Sequence, residues 1–330
     1  MSVPEFIVGN PLRKLARKHQ YLQRLLWRVD FALVWLIATL AKRLPIDTAS
    51  RFGEKVGAWI GPRLTSKTAI FRTNMATAFP ELNDAELDQL VARAWGRVGR
   101  VMGEYPHLST ILNEPERMVI DIREPLETYA NPGKPCVMVG AHQSNWEVVG
   151  SAMARMGIPN VSLYSPPTNP YLDRLLLDSR RALNCELLPR ENSVRLLARA
   201  LKQGQTAGMV MDRRVDAGEP IKFFGHDKLS TILPARLAQK FHCDLVPVQV
   251  ERLQDARYRV TFHPPVHPTD TSVDGTAQAI DMIQQVHHLF EGWIRQQPQD
   301  WFCSKRLWAK VQRNQIKEAG SNPGVDSHAA

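Results

Sequence analysis

Cys136-Val-Met-Val-Gly-Ala-His142-Gln-Ser-Asn-Trp-Glu147 reads as a buried strand, a tight turn and the opening of a helix. Val137 to Val139 has the length and β-branching of a core strand. Gly140 and Ala141 let the chain turn, and a helical pattern begins at Trp146. Strand-to-helix transitions are where α/β folds keep their chemistry. A histidine at such a turn is the side chain best suited to moving protons near neutral pH.

Downstream of this turn the pattern alternates. Helix 146–156 leads to strand 160–164, a helix entered at Asn169-Pro170 and running to about residue 183, and strand 185–188. Helix 193–202, strand 205–211, a long loop over 212–229 and helix 231–241 follow. Strands 244–251 and 257–263 form a hairpin, and the last helix covers 276–295. Strands alternating with helices predict an α/β fold with a mixed, mainly parallel sheet flanked by helices. Upstream, residues 46–112 read as helical. Asp47 or Thr48 caps a helix ended by Gly61-Pro62, Phe79-Pro-Glu-Leu-Asn83 is a turn, and Asn83 or Asp84 caps a helix over 86–104. Pro132-Gly133-Lys134-Pro135 turns the chain into the strand at 136.

The N-terminus is of a different character. The chain has 330 residues and a net charge of +9; residues 1–75 carry thirteen Lys and Arg against four Asp and Glu, a surplus equal to the whole excess. Phe31 to Ala41 is eleven uncharged residues, bounded by Arg28 and Asp30 before and Lys42-Arg43 after. A membrane span needs about 20 apolar residues, so this reads as a membrane-associated helix in the interface of an anionic surface. The expected organisation is a membrane-anchoring element over 1–45, a catalytic domain over 46–312 and a polar, disordered tail over 313–330. Cys136, Cys185, Cys243 and Cys303 are widely spaced, without a C-x-x-C, and read as reduced thiols. No metal or cofactor site is expected. The bases accompany an apolar helix without an aromatic stacking platform, which disfavours nucleic acid as a partner.

His142 and Glu147 are five positions apart, about 140° of rotation on one regular helix. Across a turn running into a helix they can meet, with Glu147 accepting from one imidazole nitrogen and leaving the other as a base. Gly140-Ala-His-Gln-Ser is not a G-x-S-x-G elbow. A base without an enzyme nucleophile would activate the substrate's own hydroxyl. The plainer reading of the same residues is a loop histidine and a favourable acid at a helix N-terminus.

Gly140-Ala-His142-Gln-Ser-Asn-Trp-Glu147 resembles the H-x4-D/E motif of the glycerolipid acyltransferase superfamily. Over about residues 25–312 the chain looks most like the lipid A biosynthesis acyltransferases, the late lauroyl- and myristoyl-type enzymes. Arg72-Thr-Asn74-Met-Ala-Thr-Ala-Phe79-Pro80-Glu81 is similar to that family's R-x-N-x-x-x-A-F-P-E passage, followed by Gly99-Arg100 and Glu104. Asn169-Pro170, Leu172-Asp173, Asp212, Phe223-Phe224-Gly225, Ser230-Thr231 and Leu245-Val-Pro247 come in the family's order. The chain departs from it at Asp212-Arg213-Arg214, where the family often has D-x-D. It also departs at Ser304 and Lys305, within a segment that commonly ends in tryptophan, histidine and arginine.

The resemblance implies direct acyl transfer from a thioester on acyl carrier protein to a hydroxyl of a lipid A precursor at the cytoplasmic face of the inner membrane. His142 would be the general base, oriented by Glu147. Arg190, Arg180, Asp212, Lys305 and Arg306 would bind substrate, and Phe223 and Phe224 would line an acyl channel. Acylation of another glycolipid or polar lipid, from acyl-CoA, is the alternative within the enzyme class. A non-catalytic protein that binds anionic lipid at the membrane surface is the alternative outside it.

Overall fold

The computed structural model describes residues 6–8, 12–130, 134–190 and 192–308. The Pro132-Gly133 turn and the tail over 313–330 lie outside them. Nine strands are present among the described residues: β1 (Met118–Ile122), β2 (Val137–Gly140), β3 (Asn160–Tyr164), β4 (Glu186–Pro189), β5 (Thr206–Val210), β6 (Glu219–Phe223), β7 (His226–Ser230), β8 (Leu245–Arg252) and β9 (Tyr258–Phe262). Seven of them form one sheet in the order β1-β9-β8-β2-β5-β3-β4. Every pairing in it is parallel except the β8–β9 hairpin, so the expected mixed, mainly parallel sheet is what forms.

β2 runs through the middle and is buried on both faces, as a strand flanked by helices must be. Val137, Val139 and Ala141 enter one core with Met209, Phe290 and Trp293. Cys136 and Met138 enter the other with Met153, Val246 and Tyr258. The alternation of side chains along a strand delivers successive residues to the two cores.

Two expectations fail in instructive ways. The stretch 212–229 is not a loop throughout, because β6 and β7 pair as an antiparallel hairpin. Its two-residue turn is Phe224-Gly225, both at positive φ (51° and 74°), the backbone that right-handed strand twist favours in tight hairpins. Phenylalanine is a rare occupant of that conformation, so the usual Asn-Gly signal is missing. Phe224 is held there by its N–H donating to Glu291 at 2.6 Å. The second failure is a cap. The helix Ile46–Ile60 starts after Pro45 with no side-chain cap. Asp47 instead accepts from Arg117 at 3.0 Å and from the N–H of Ala256 at 3.2 Å. Asn83 does cap the helix Asp84–Glu104, in a reciprocal box with Glu86.

The helices Ile46–Ile60 and Asp84–Glu104 pack backbone to backbone through glycines. A Cβ on Gly99 would fall 2.0 Å from the carbonyl oxygen of Gly53. This close pair ends at Glu104, a buried carboxylate held by Ser50, Tyr258 and both terminal nitrogens of Arg252. It delivers Tyr105, whose hydroxyl donates to Glu147 at 2.7 Å.

No described helix is long and apolar enough to cross a membrane. The helix Gln20–Lys42 nevertheless exposes Leu25, Trp35, Leu36, Ile37 and Leu40, each at least half open to solvent. Asp30, an acid inside this apolar helix, is buried and accepts from the N–H groups of Ile7 and Val8 at 2.9 and 3.0 Å.

Candidate active site

β2 and β5 are parallel neighbours with Gly140 opposite Val210. The residues two further along each strand, His142 and Asp212, therefore leave the same sheet edge side by side. His142 Nδ1 lies 2.5 Å from Asp212 Oδ1. The other carboxylate oxygen accepts from Trp301 Nε1 at 2.9 Å. Burial alone would push the Asp212 carboxyl up. The charge and hydrogen bond of His142, the Trp301 donor and the charge of Lys228 outweigh that and hold it well below the usual carboxylate range. An ionised Asp212 fixes the proton on Nδ1 and leaves Nε2 as the nitrogen that can accept one.

The main chain around His142 is also gripped from the C-terminal segment. Phe302 N–H donates to the carbonyl of His142 at 2.7 Å, and Ser144 N–H donates to the carbonyl of Asp300 at 2.8 Å. Trp146 meets the His142 ring edge-on at 5.0 Å and stacks on Phe302. The segment is itself tied down by Asn74, whose side-chain amide donates to the carbonyls of Cys303 and Lys305 at 2.8 and 2.7 Å. Asp300 is anchored by Arg97 at 3.0 Å.

Glu147 is not the partner of His142. Its carboxylate accepts from the hydroxyl of Tyr105 at 2.7 Å and from Arg180 Nε at 2.9 Å, with a second Arg180 nitrogen on the same group. Both of its oxygens are therefore occupied, and Nδ1 of the imidazole is already taken by Asp212. Burial works against the Arg180 charge, but Glu147 and Tyr105 hold the guanidinium above its ordinary value. Burial and the Glu147 charge together push the Tyr105 phenol up.

His142, Glu147, Arg180, Arg190 and Lys305 all border one cavity of about 610 Å³. Its apolar walls include Leu163, Leu187, Met209 and Val248, and Arg213 and Arg214 join the rim. Arg180 is neutralised by Glu147, and Arg214 pairs with Asp216. Arg190, Arg213 and Lys305 make no ion pair with any carboxylate among the described residues. Burial, and secondarily the charge of Arg190, pull the Arg213 guanidinium down, while the neighbouring Asp212 works the other way.

Four expected residues stand elsewhere. Asp212 lies beneath the imidazole and does not border the cavity, its carboxylate oxygens being taken by His142 and Trp301. Arg306 is exposed and outside the cavity lining. Phe223 and Phe224 are packed in the core against Trp301, Trp308 and Phe79, with no surface on the cavity.

The geometry is a buried carboxylate–imidazole pair opening on an apolar cavity rimmed by cations. Residues 15–310 match the family model described as bacterial lipid A biosynthesis acyltransferase. The chain belongs to this family. It is similar to a lipid A biosynthesis acyltransferase of Haemophilus influenzae, 21% identical over 256 residues that cover 76% of this chain and 80% of the relative. The protein is thus an acyltransferase. In this acyltransferase, sequence reasoning missed Tyr105, Arg213 and Lys228. Tyr105 carried no motif of its own, only its place directly after Glu104. Arg213 stood out only as the residue occupying the middle of a departed D-x-D. Trp301 belonged to a recognisable aromatic segment whose contact with Asp212 spans 89 residues.

Proposed function

We propose that this acyltransferase moves a fatty acyl chain from the thioester of acyl carrier protein to a hydroxyl of a lipid A precursor. The observation that carries the reading is the buried His142–Asp212 pair, whose imidazole borders the cavity of about 610 Å³, a size in the range of ligand pockets, about 300–1,000 Å³. His142 Nε2 takes the proton of the acceptor hydroxyl as its oxygen attacks the thioester carbonyl. The C–O bond forms, the C–S bond breaks, and the imidazolium returns its proton to the departing thiolate. No protein nucleophile is needed. Asp212 orients the imidazole and stabilises its charged form, the role first expected of Glu147. Glu147 serves the same site by holding Arg180 on the cavity wall, with the Tyr105 hydroxyl bracing the pair.

Arg190, Arg213 and Lys305 supply positive charge for the phosphates of the acceptor or of the donor's prosthetic arm. The exposed apolar side chains of the helix Gln20–Lys42, flanked by Arg24, Arg28, Lys42 and Arg43, would rest in the cytoplasmic face of an anionic inner membrane. Mass spectrometry of lipid A from cells lacking the protein tests the substrate. Loss of one acyl chain supports the reading, and unchanged lipid A contradicts it.

A further inference from the structure

Lys228, on β7, is completely buried. Its Nζ donates to the backbone carbonyl of Asp212 at 2.8 Å and rests 4.5 Å over the ring centroid of Phe223. Taking an ammonium out of water is costly, and one neutral carbonyl compensates little of that cost. A leucine or methionine would fill the same core space without the charge. The carboxylate of Asp212 therefore stands between two basic groups, with its oxygens on His142 and Trp301 and its own main chain on Lys228.

We propose that Lys228 is a positioning residue that fixes the main chain of Asp212 and, by its charge, weakens the grip of the His142–Asp212 pair on a proton. This rests on the reading of His142 as the general base. A base that held its proton too tightly would be slow to return it to the leaving thiolate. A cation behind the carboxylate disfavours the protonated pair and speeds that return. Burial pulls the Lys228 ammonium down to about 8, and the Asp212 charge opposes that and favours the ammonium form. The other titratable groups around it fit this arrangement. His287, from the helix Gly275–Gln296, is pushed down by burial and by the Lys228 charge. The Cys303 thiol is pushed up by burial and by Asp212. Arg213 faces Asp212 from the cavity side.

The test is a nuclear magnetic resonance titration of the full chain in detergent, carrying 13C-labelled histidine, with the His142 signal assigned by its loss in His142→Ala. Lys228→Met and Lys228→Gln should each raise the protonation midpoint of the pair by about one pH unit, and the pH–rate profile of acyl transfer should move the same way with KM for the donor unchanged. A merely structural lysine would leave the midpoint in place, and an unmoved midpoint in the folded variants overturns the proposal. If both variants fail to fold, the wild-type chain decides. A second inflection of the His142 signal as Lys228 loses its proton supports the coupling, and a single-step curve to alkaline pH overturns it. The titration needs no catalysis, so a wild-type protein inert towards lipid A precursors would defeat the proposed function and still leave the role of Lys228 measurable.

Discussion

Asp212 gathers His142, Trp301 and Lys228 about itself, and its charge has a consequence for stability. Its folded-state pKa is depressed, so its contribution is fully present above the unfolded value of about 3.9 and is lost as pH falls through the folded one. Asp47 and Glu54 act with the same sign, lowered by Arg117 and Arg100 against the burial that opposes them. The melting temperature should therefore drop as the pH is taken below about 4, and it should drop less steeply in Asp212→Asn. Equal slopes in the two proteins would contradict an ionised Asp212. The same residue shows what a motif conceals. H-x4-E names two residues of one loop, yet the partner of the imidazole comes from the neighbouring strand, 70 positions away.

Among the elements, the helix pair Ile46–Ile60 and Asp84–Glu104 sets the position of Tyr105, and through it the Glu147–Arg180 wall of the cavity. Because the two backbones touch at Gly53 and Gly99, Gly99→Ala must push the helices apart. We expect a loss of about 1–3 kcal/mol in denaturant unfolding, the usual cost of overpacking, although Gly99 does not border the cavity. Unchanged stability would mean that the contact is looser than it stands. Much of the element plan was legible in the sequence. The spacing of apolar residues located β2, β3, β5, β8 and β9 and the long helices, and Asn83 and Asn169 announced their caps. What stayed hidden was β1, a short strand interrupted by the charged Asp121, and the β6–β7 hairpin. A Phe-Gly turn follows no turn propensity and exists because Glu291 and the aromatic core hold it. The glycines of the close helix pair were visible as letters, but nothing local distinguished them from flexible positions.

For the whole molecule, the feature that organises function is its asymmetry of charge and apolar surface. The basic surplus sits in the first 75 residues, on the same helices that expose Trp35, Leu36, Ile37, Phe52 and Trp59. If this face meets the membrane, Leu36→Asp with Ile37→Asp should lower co-sedimentation with anionic phospholipid vesicles at least tenfold, since each buried apolar side chain contributes about 1.5–3 kcal/mol. The melting temperature should hold, because both side chains are at least half exposed. Vesicle binding equal to wild type would remove this helix from the membrane account. Fold and family were readable from the sequence because they depend on order along the chain. The site was only partly readable, because Asp212 reaches His142, Tyr105 reaches Glu147, and Trp301 and Lys228 reach Asp212 through tertiary contacts that no spacing records.

The central claim is that His142 is the base and Asp212, in place of Glu147, holds it. The most direct measurement is the rate of acyl transfer from acyl carrier protein thioester to lipid A precursor in detergent, by wild type, His142→Ala, Asp212→Asn and Glu147→Gln at matched folded concentrations. His142→Ala should lose about 10²- to 10⁴-fold, the contribution of a positioned general base. Asp212→Asn should fall with it, and Glu147→Gln should retain the bell of the pH–rate profile at a lower plateau. Wild-type transfer rates in His142→Ala, or an Asp212→Asn enzyme as fast as wild type, would contradict the account.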